Sequence, residues 1–225
     1  MIFEGENPPN GAILDFWTAG DGSADISILN STGQQVAGLE HGATRGMNRV
    51  VWDLRHARIG GDAVAQAGGG GRGGRGGGAG PRVVPGRYTA RLTSGGLTSE
   101  QTFEVREDPR LEFDSSERAE WTAAQLDVWE RMGEAQALSR AVGRWAAMLD
   151  ANTDALNVDP GLETELRDMA RQMQELSSRI SGLYRSMDGW VGPLAADQAS
   201  QRGFLTDALT QLSADWTALA ARLPA

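Results

Sequence analysis

Apolar and polar residues alternate with a period of two from Gly11 to about Arg106. In GAILDFWT (residues 11–18), Ala12, Leu14 and Phe16 share one face while Ile13, Asp15 and Trp17 share the other, as in a half-buried strand. ADISILN turns Ile26 and Ile28 to one side, STGQ reads as a turn, and QQVAGL follows as the next extended run. MNRVVWDLR sets Val50, Trp52 and Leu54 against Val51, Asp53 and Arg55. Farther on, PGRYTARLTS sets Tyr88, Ala90 and Leu92 against Thr89, Arg91 and Thr93. A Ser94-Gly95-Gly96 turn then leads into TSEQTFEV, with Phe103 and Val105 inward. Six short strands with tight turns predict an antiparallel β-sandwich. A seventh is expected in the first residues or upstream of them.

Near Asp108-Pro109 the period changes to that of a helix. DSSE (residues 114–117) has the spacing of a capping box, with Asp114 as N-cap and Glu117 reaching back. The helix that follows, to about residue 150, carries Trp121, Val128, Met132, Ala135, Val142, Trp145 and Leu149 on one broad stripe. Asp159-Pro160 restarts a helix, with Asp as cap and Pro in the first turn. Its apolar residues Leu162, Leu166, Met169, Met173, Leu176, Ile180, Leu183 and Met187 alternate spacings of four and three without a miss, which is a heptad seam. DGWVGP ends it. A third helix from about residue 196 to 222 carries Leu205, Leu209, Leu212, Trp216 and Leu219, with Leu223 just beyond. Three long amphipathic helices with short loops predict a three-helix antiparallel bundle, or a helical hairpin with the third helix packed on it. The division is therefore 1–108 for the β-domain, with a glycine-rich insertion at about 60–82, and 109–225 for helices at about 115–150, 160–187 and 196–222. A helix of about 30 residues is about 45 Å long, and a seam left open on such a helix would drive self-association or partner binding.

The insertion contains QAGGGGRGGRGGGAGPR (residues 66–82), which looks like an RNA-binding arginine-glycine box. Such boxes pair arginines with aromatic residues that stack on bases, and this one holds only Arg72 and Arg75 before Gly80. Flanked by two core strands, it reads as a flexible loop with few side chains to bury. The net charge of −9 across 225 residues repels a polyanion as well. Nucleic acid is therefore not expected as a partner.

Composition narrows the chemistry. Hydrophobic residues at 40% and charged residues at 23% suit a folded chain. Cysteine is absent, which removes disulfides, thiol nucleophiles and thiolate metal sites. The start, MIFEGENPPNG, has neither the basic region nor the apolar run of a signal peptide, and no segment approaches the length of a membrane span. The chain begins as a piece cut from a longer protein would. His41 and His56 lack a ligand-like spacing and read as solvated surface residues; a zinc site from His41, His56 and Asp53 is the sharper alternative. Glu4, Glu6, Asp15 and Asp53 are the acids from which a glycosidase pair would have to come, and no spacing selects two of them. No nucleophile elbow, phosphate loop or dinucleotide fingerprint occurs. Neither a catalytic residue, a cofactor nor a metal is assigned. Trp17, opposite Leu14 and Phe16, is the residue placed to contact a ligand or partner.

Three stretches carry a resemblance. ENPPNGAILDFW, GMNRVVWDLR and GPRVVPGRYTARL resemble the region after the β-propeller in bacterial sortilin-like or BNR-repeat proteins, often labelled glycosyl hydrolases. Asn48, Trp52 and Asp53, followed by Pro85, Gly86, Tyr88 and Leu92, are also similar to the Ig-like domain of the flagellar hook-capping protein. The resemblance implies an Ig-like β-sandwich with a helical tail, exported in a bacterium. It implies an accessory module that contacts a protein partner or the upstream propeller, since the hydrolase label attaches to the propeller. Carbohydrate binding beside a hydrolase is the alternative, and hydrolysis by this chain itself the third. In this frame Asn48, Trp52, Asp53, Pro85, Gly86 and Tyr88 are structural.

Overall fold

The computed structural model describes residues 9–57, 64–66, 80–110, 114–151, 159–189 and 192–223. It divides into two compact units, residues 1–113 and 114–225.

The first unit contains strands β1 (Ala12–Thr18), β2 (Gly22–Leu29), β3 (Gln35–Ala43), β4 (Gly46–Trp52), β5 (Val64–Gln66), β6 (Gly86–Ser94) and β7 (Leu97–Val105). β1 pairs antiparallel with β4 in a two-stranded sheet, and the others form a second sheet in the order β5-β3-β2-β6-β7. A strand that spacing did not anticipate, β5, lies inside the glycine-rich insertion and runs parallel to β3 at Gly38–Glu40; the strand expected in the first residues falls on residues 1–8, outside the described residues. The insertion is therefore not wholly a loop, and the second sheet not wholly antiparallel; residues 58–63 and 67–79 of the insertion, including Arg72 and Arg75, lie outside the described residues.

Turn chemistry fixes the registers. Gly95 and Gly96 both have positive φ, 58° and 78°, as the two central residues of a type I′ hairpin require, and Ser94 pairs with Leu97 across them. At the β2–β3 turn, the Asn30 carboxamide oxygen accepts from the backbone N–H groups of Thr32 (3.1 Å) and Gln34 (2.9 Å). Asn48 organises the β3–β4 turn from beneath: its side chain accepts from Thr44 N–H at 2.9 Å and donates to the Thr44 and Gly46 carbonyls at 2.8 and 3.0 Å. Residues of both sheets meet in one core containing Ile26, Ile28, Val36, Leu39, Val50, Trp52, Val83 and Tyr88, with Leu14, Phe16, Leu92 and Phe103 packed on it. A β-carbon on Gly11 would overlap the Trp52 carbonyl, so only glycine lets the chain enter β1 there.

Alternation carries β4 only to Trp52. Leu54 then adopts φ +61°, a left-handed conformation costing a non-glycine residue about 1–2 kcal/mol. Asp53 accepts from Arg55 N–H (3.1 Å), and Leu54 accepts from Val83 N–H (2.9 Å). His56 N–H bonds to the Pro81 carbonyl at 2.9 Å, and the Arg55 guanidinium to the Gly80 carbonyl at 2.9 Å. These bonds hold the two ends of the insertion together at its base. Deleting Gly68 to Gly78 should therefore leave the thermal midpoint within a few degrees of wild type in scanning calorimetry; a larger fall would show that the glycine tract supports the core.

Both histidines are half-buried rather than solvated. Burial holds the His56 imidazole below the usual 6.5 because it disfavours the charged form. The unfolded chain therefore binds this proton more readily, and stability should fall as pH drops from about 6.5 toward the folded-state value. Denaturant titrations across that range should show a slope that flattens in His56→Gln; an unchanged slope would exclude His56 as its source.

The second unit consists of α1 (Ser115–Ala151), α2 (Pro160–Asp188) and α3 (Ala196–Ala220). Asp114 accepts from Ser116 N–H at 2.8 Å, and Asp159 from Gly161 N–H at 3.2 Å, so both carboxylates satisfy first-turn donors. Every residue of the α2 seam is buried, and Tyr184 with them. On α3 only Leu205, Leu209 and Leu219 are buried, while Leu212, Trp216 and Leu223 are half-covered. Arg167–Asp150 (2.6 Å) joins the start of α2 to the end of α1, and Arg222–Glu165 (2.6 Å) joins the chain after α3 to the start of α2. Such exposed pairs are screened by water and add little to stability; they place the start of α2 beside the end of α1 and beside the chain after α3. Among the described residues the buried Gln125 side chain and Trp121 indole N–H have no hydrogen-bond partner, a local cost of about 1–3 kcal/mol each.

Candidate functional site around Trp17

The pairing of β1 with β4 places Ile13 opposite Val51, Asp15 opposite Arg49 and Trp17 opposite Met47. These six residues form the outward face of the two-stranded sheet, because Leu14, Phe16, Val50 and Trp52 turn the other way into the core. A strand that is polar on its outer face needs nothing over it, whereas strands apolar on both faces are those buried on both. Here Trp17 is 62% exposed, Met47 69% and Ile13 43%. Between them the Arg49 guanidinium grips Asp15 through Nε (2.7 Å) and Nη2 (2.9 Å).

A groove of 750 Å³ opens beside Trp17, lined by residues 17–23 and by Leu92, Ser94, Gly95, Leu97, Thr98 and Ser99. Leu97 is 79% exposed at its edge. Several polar groups along it are committed to the fold: Thr18 donates to the Thr44 carbonyl (2.8 Å), Ser94 to the Ser23 carbonyl (2.9 Å), and Asp21 accepts from Arg45 N–H (2.7 Å). An apolar floor with tethered hydroxyls suits contact with a partner's side chains or a sugar face better than proton transfer.

The residues considered for chemistry do not converge. His41 packs against the edge of Phe16 at 5.9 Å, while His56 and Asp53 belong to the segment after β4. Among the described residues no three His, Asp or Glu side chains gather as metal ligands. Asp15 is held below the usual carboxylate range by its hydrogen bond to Arg49, so it stays ionised and is a poor proton donor. Glu4 and Glu6 lie outside the described residues. Among the motif residues, Tyr88 donates to the Val84 carbonyl at 2.6 Å beside Pro85-Gly86, and Trp52 donates to the Arg55 carbonyl at 3.0 Å. Both bonds are internal to the fold.

Met47, Leu97 and Ile13 complete the exposed surface around Trp17. Parity in β4 already sets Met47 in phase with Arg49 and Val51, so Met47 was legible; Leu97 was not, because only tertiary pairing brings that hairpin near. The helical unit has two smaller grooves. One of 440 Å³ lies between α1 and α3, bounded by Glu134, Leu138, Leu209 and Thr217. The other, of 450 Å³ between α2 and α3, is bounded by Gly182 and the exposed Phe204. No helix of the described residues is long and apolar enough to cross a membrane. Comparison with protein-family models, curated proteins and solved structures returns no match for this chain.

Proposed function

We propose that this chain is a non-catalytic interaction module whose outer β1–β4 face, centred on Trp17, docks a protein. The observation that carries this reading is a two-stranded sheet whose inner face packs into the core while its outer face leaves Ile13, Trp17 and Met47 exposed around the Asp15–Arg49 pair. On this reading the first unit is an Ig-like β-sandwich and the second a three-helix antiparallel bundle. The resemblance of its three motif stretches supports placing it in the C-terminal part of an exported bacterial β-propeller protein of the sortilin-like or BNR-repeat group. The docked protein would then be one held within the same assembly.

A photo-crosslinking residue at position 17 tests the docking face, with the exposed Thr102 position on β7 as control. One discrete adduct from position 17 and none from 102 is expected. Equal labelling at both, or none at 17, overturns the proposal. Carbohydrate binding is the second reading, favoured by an exposed tryptophan beside the hydroxyl-lined groove. It predicts glycan-array binding that disappears in Trp17→Ala.

A further inference from the structure

We infer that the partner of the outer β1–β4 face is a second copy of this chain, related by a twofold axis parallel to the strands. The inference rests on the reading that this face is a docking surface, and it names the occupant.

The argument is one of self-complementarity, which an isologous interface requires. The face is a ladder of three rungs: Ile13 with Val51, Asp15 with Arg49, and Trp17 with Met47. A twofold axis along the strand direction lays β1 of one copy over β4 of the other. Ile13 then meets the second copy's Val51, Trp17 meets its Met47, and Asp15 meets its Arg49. Apolar rungs face apolar rungs, and each acid faces a base. An axis across the strands would instead set Asp15 over Asp15 and Arg49 over Arg49, and like charges in contact oppose pairing. The charge pattern therefore selects one of the two face-to-face arrangements, with near-aligned sheets about 10 Å apart.

Size sets the strength. Seven residues per strand at about 3.4 Å each give a face about 24 Å long and about 10 Å wide. That is well short of the roughly 800 Å² per partner of a standard stable interface. The net charge of −9 on each copy adds repulsion, screened beyond about 8 Å at physiological salt. The dimer is accordingly weak, and it forms at high local concentration, as when several copies are held together.

Sedimentation velocity on the whole chain, from about 10 μM to 1 mM, tests this with two charge variants. Wild type should sediment faster as concentration rises. Asp15→Arg and Arg49→Asp should each remain monomeric, because their central rungs carry four like charges when paired with themselves. An equimolar mixture of the two should recover the association, because each Arg then meets an Asp across the interface. Circular dichroism confirms that both variants fold. Monomeric wild type throughout the range overturns the inference, and so does association that persists in each variant alone, which would place it on another surface such as the helical grooves. In both cases an adduct from position 17 to a different protein still upholds the docking face, so the two readings fail separately.

Discussion

Replacing Trp52 with alanine should bring the β unit close to complete unfolding. The side chain is 1% exposed, and its ring lies 5.6 Å from Tyr88 and 6.1 Å from Phe103. It belongs to the one core shared by both sheets, so the cavity left behind cannot close without moving β4 against β6 and β7. Truncating a buried tryptophan costs about 3–5 kcal/mol, against a total of about 5–15 kcal/mol for a domain. For a unit of this size that is a fall in thermal midpoint of roughly 15–30 °C. Trp52→Phe separates the two contributions. It keeps most of the ring packing but leaves the Arg55 carbonyl without its 3.0 Å donor, so a smaller loss of about 1–3 kcal/mol is expected. Denaturant titration followed by near-ultraviolet circular dichroism reads both. A loss below about 1 kcal/mol in Trp52→Ala would mean that the two sheets do not share this core.

The residues that were legible in the sequence are those whose environment is set by local periodicity. Ile26 and Ile28, Val50 and Trp52, and the whole α2 seam from Leu162 to Met187 were assigned to the interior by spacing alone, and all are buried. Asp114 and Asp159 were legible as caps because a capping carboxylate acts on donors two residues away. The misses are all effects of distant chain. Alternation extended β4 through Leu54, but Leu54 is pulled into a left-handed turn by Asp53 on one side and by Val83, nearly thirty residues on, at the other. β5 was missed because its pairing is with β3 and its three residues sit in a glycine-rich insertion too poor in apolar residues to show alternation. The half-burial of His41 comes from Phe16 across the core, and nothing near His41 in sequence signals it. The candidate site divides in the same way. Parity put Trp17 on the outer face, but whether anything covers that face depends on how many strands its sheet contains, which no single strand reveals.

The second large effect is expected at the centre of α2. Met173 is fully buried, between Met169 and Leu176 on the seam that faces both neighbouring helices. Met173→Asp would place a carboxylate where none of the described ion pairs can reach it, since those pairs lie on exposed helix surfaces. An unpaired buried charge costs on the order of 3–5 kcal/mol, added to the lost methionine packing of about 2–5 kcal/mol. Together these rival the stability of the helical unit, so most of the far-ultraviolet helical signal should disappear at neutral pH. Lowering the pH toward 4 should recover part of it, because the neutral acid costs less to bury than the carboxylate. Met173→Leu conserves volume and should change stability by less than about 1.5 kcal/mol. A folded, fully helical Met173→Asp at neutral pH would show that the seam is open to water along its middle, and that the helices leave a channel where their stripes were expected to close.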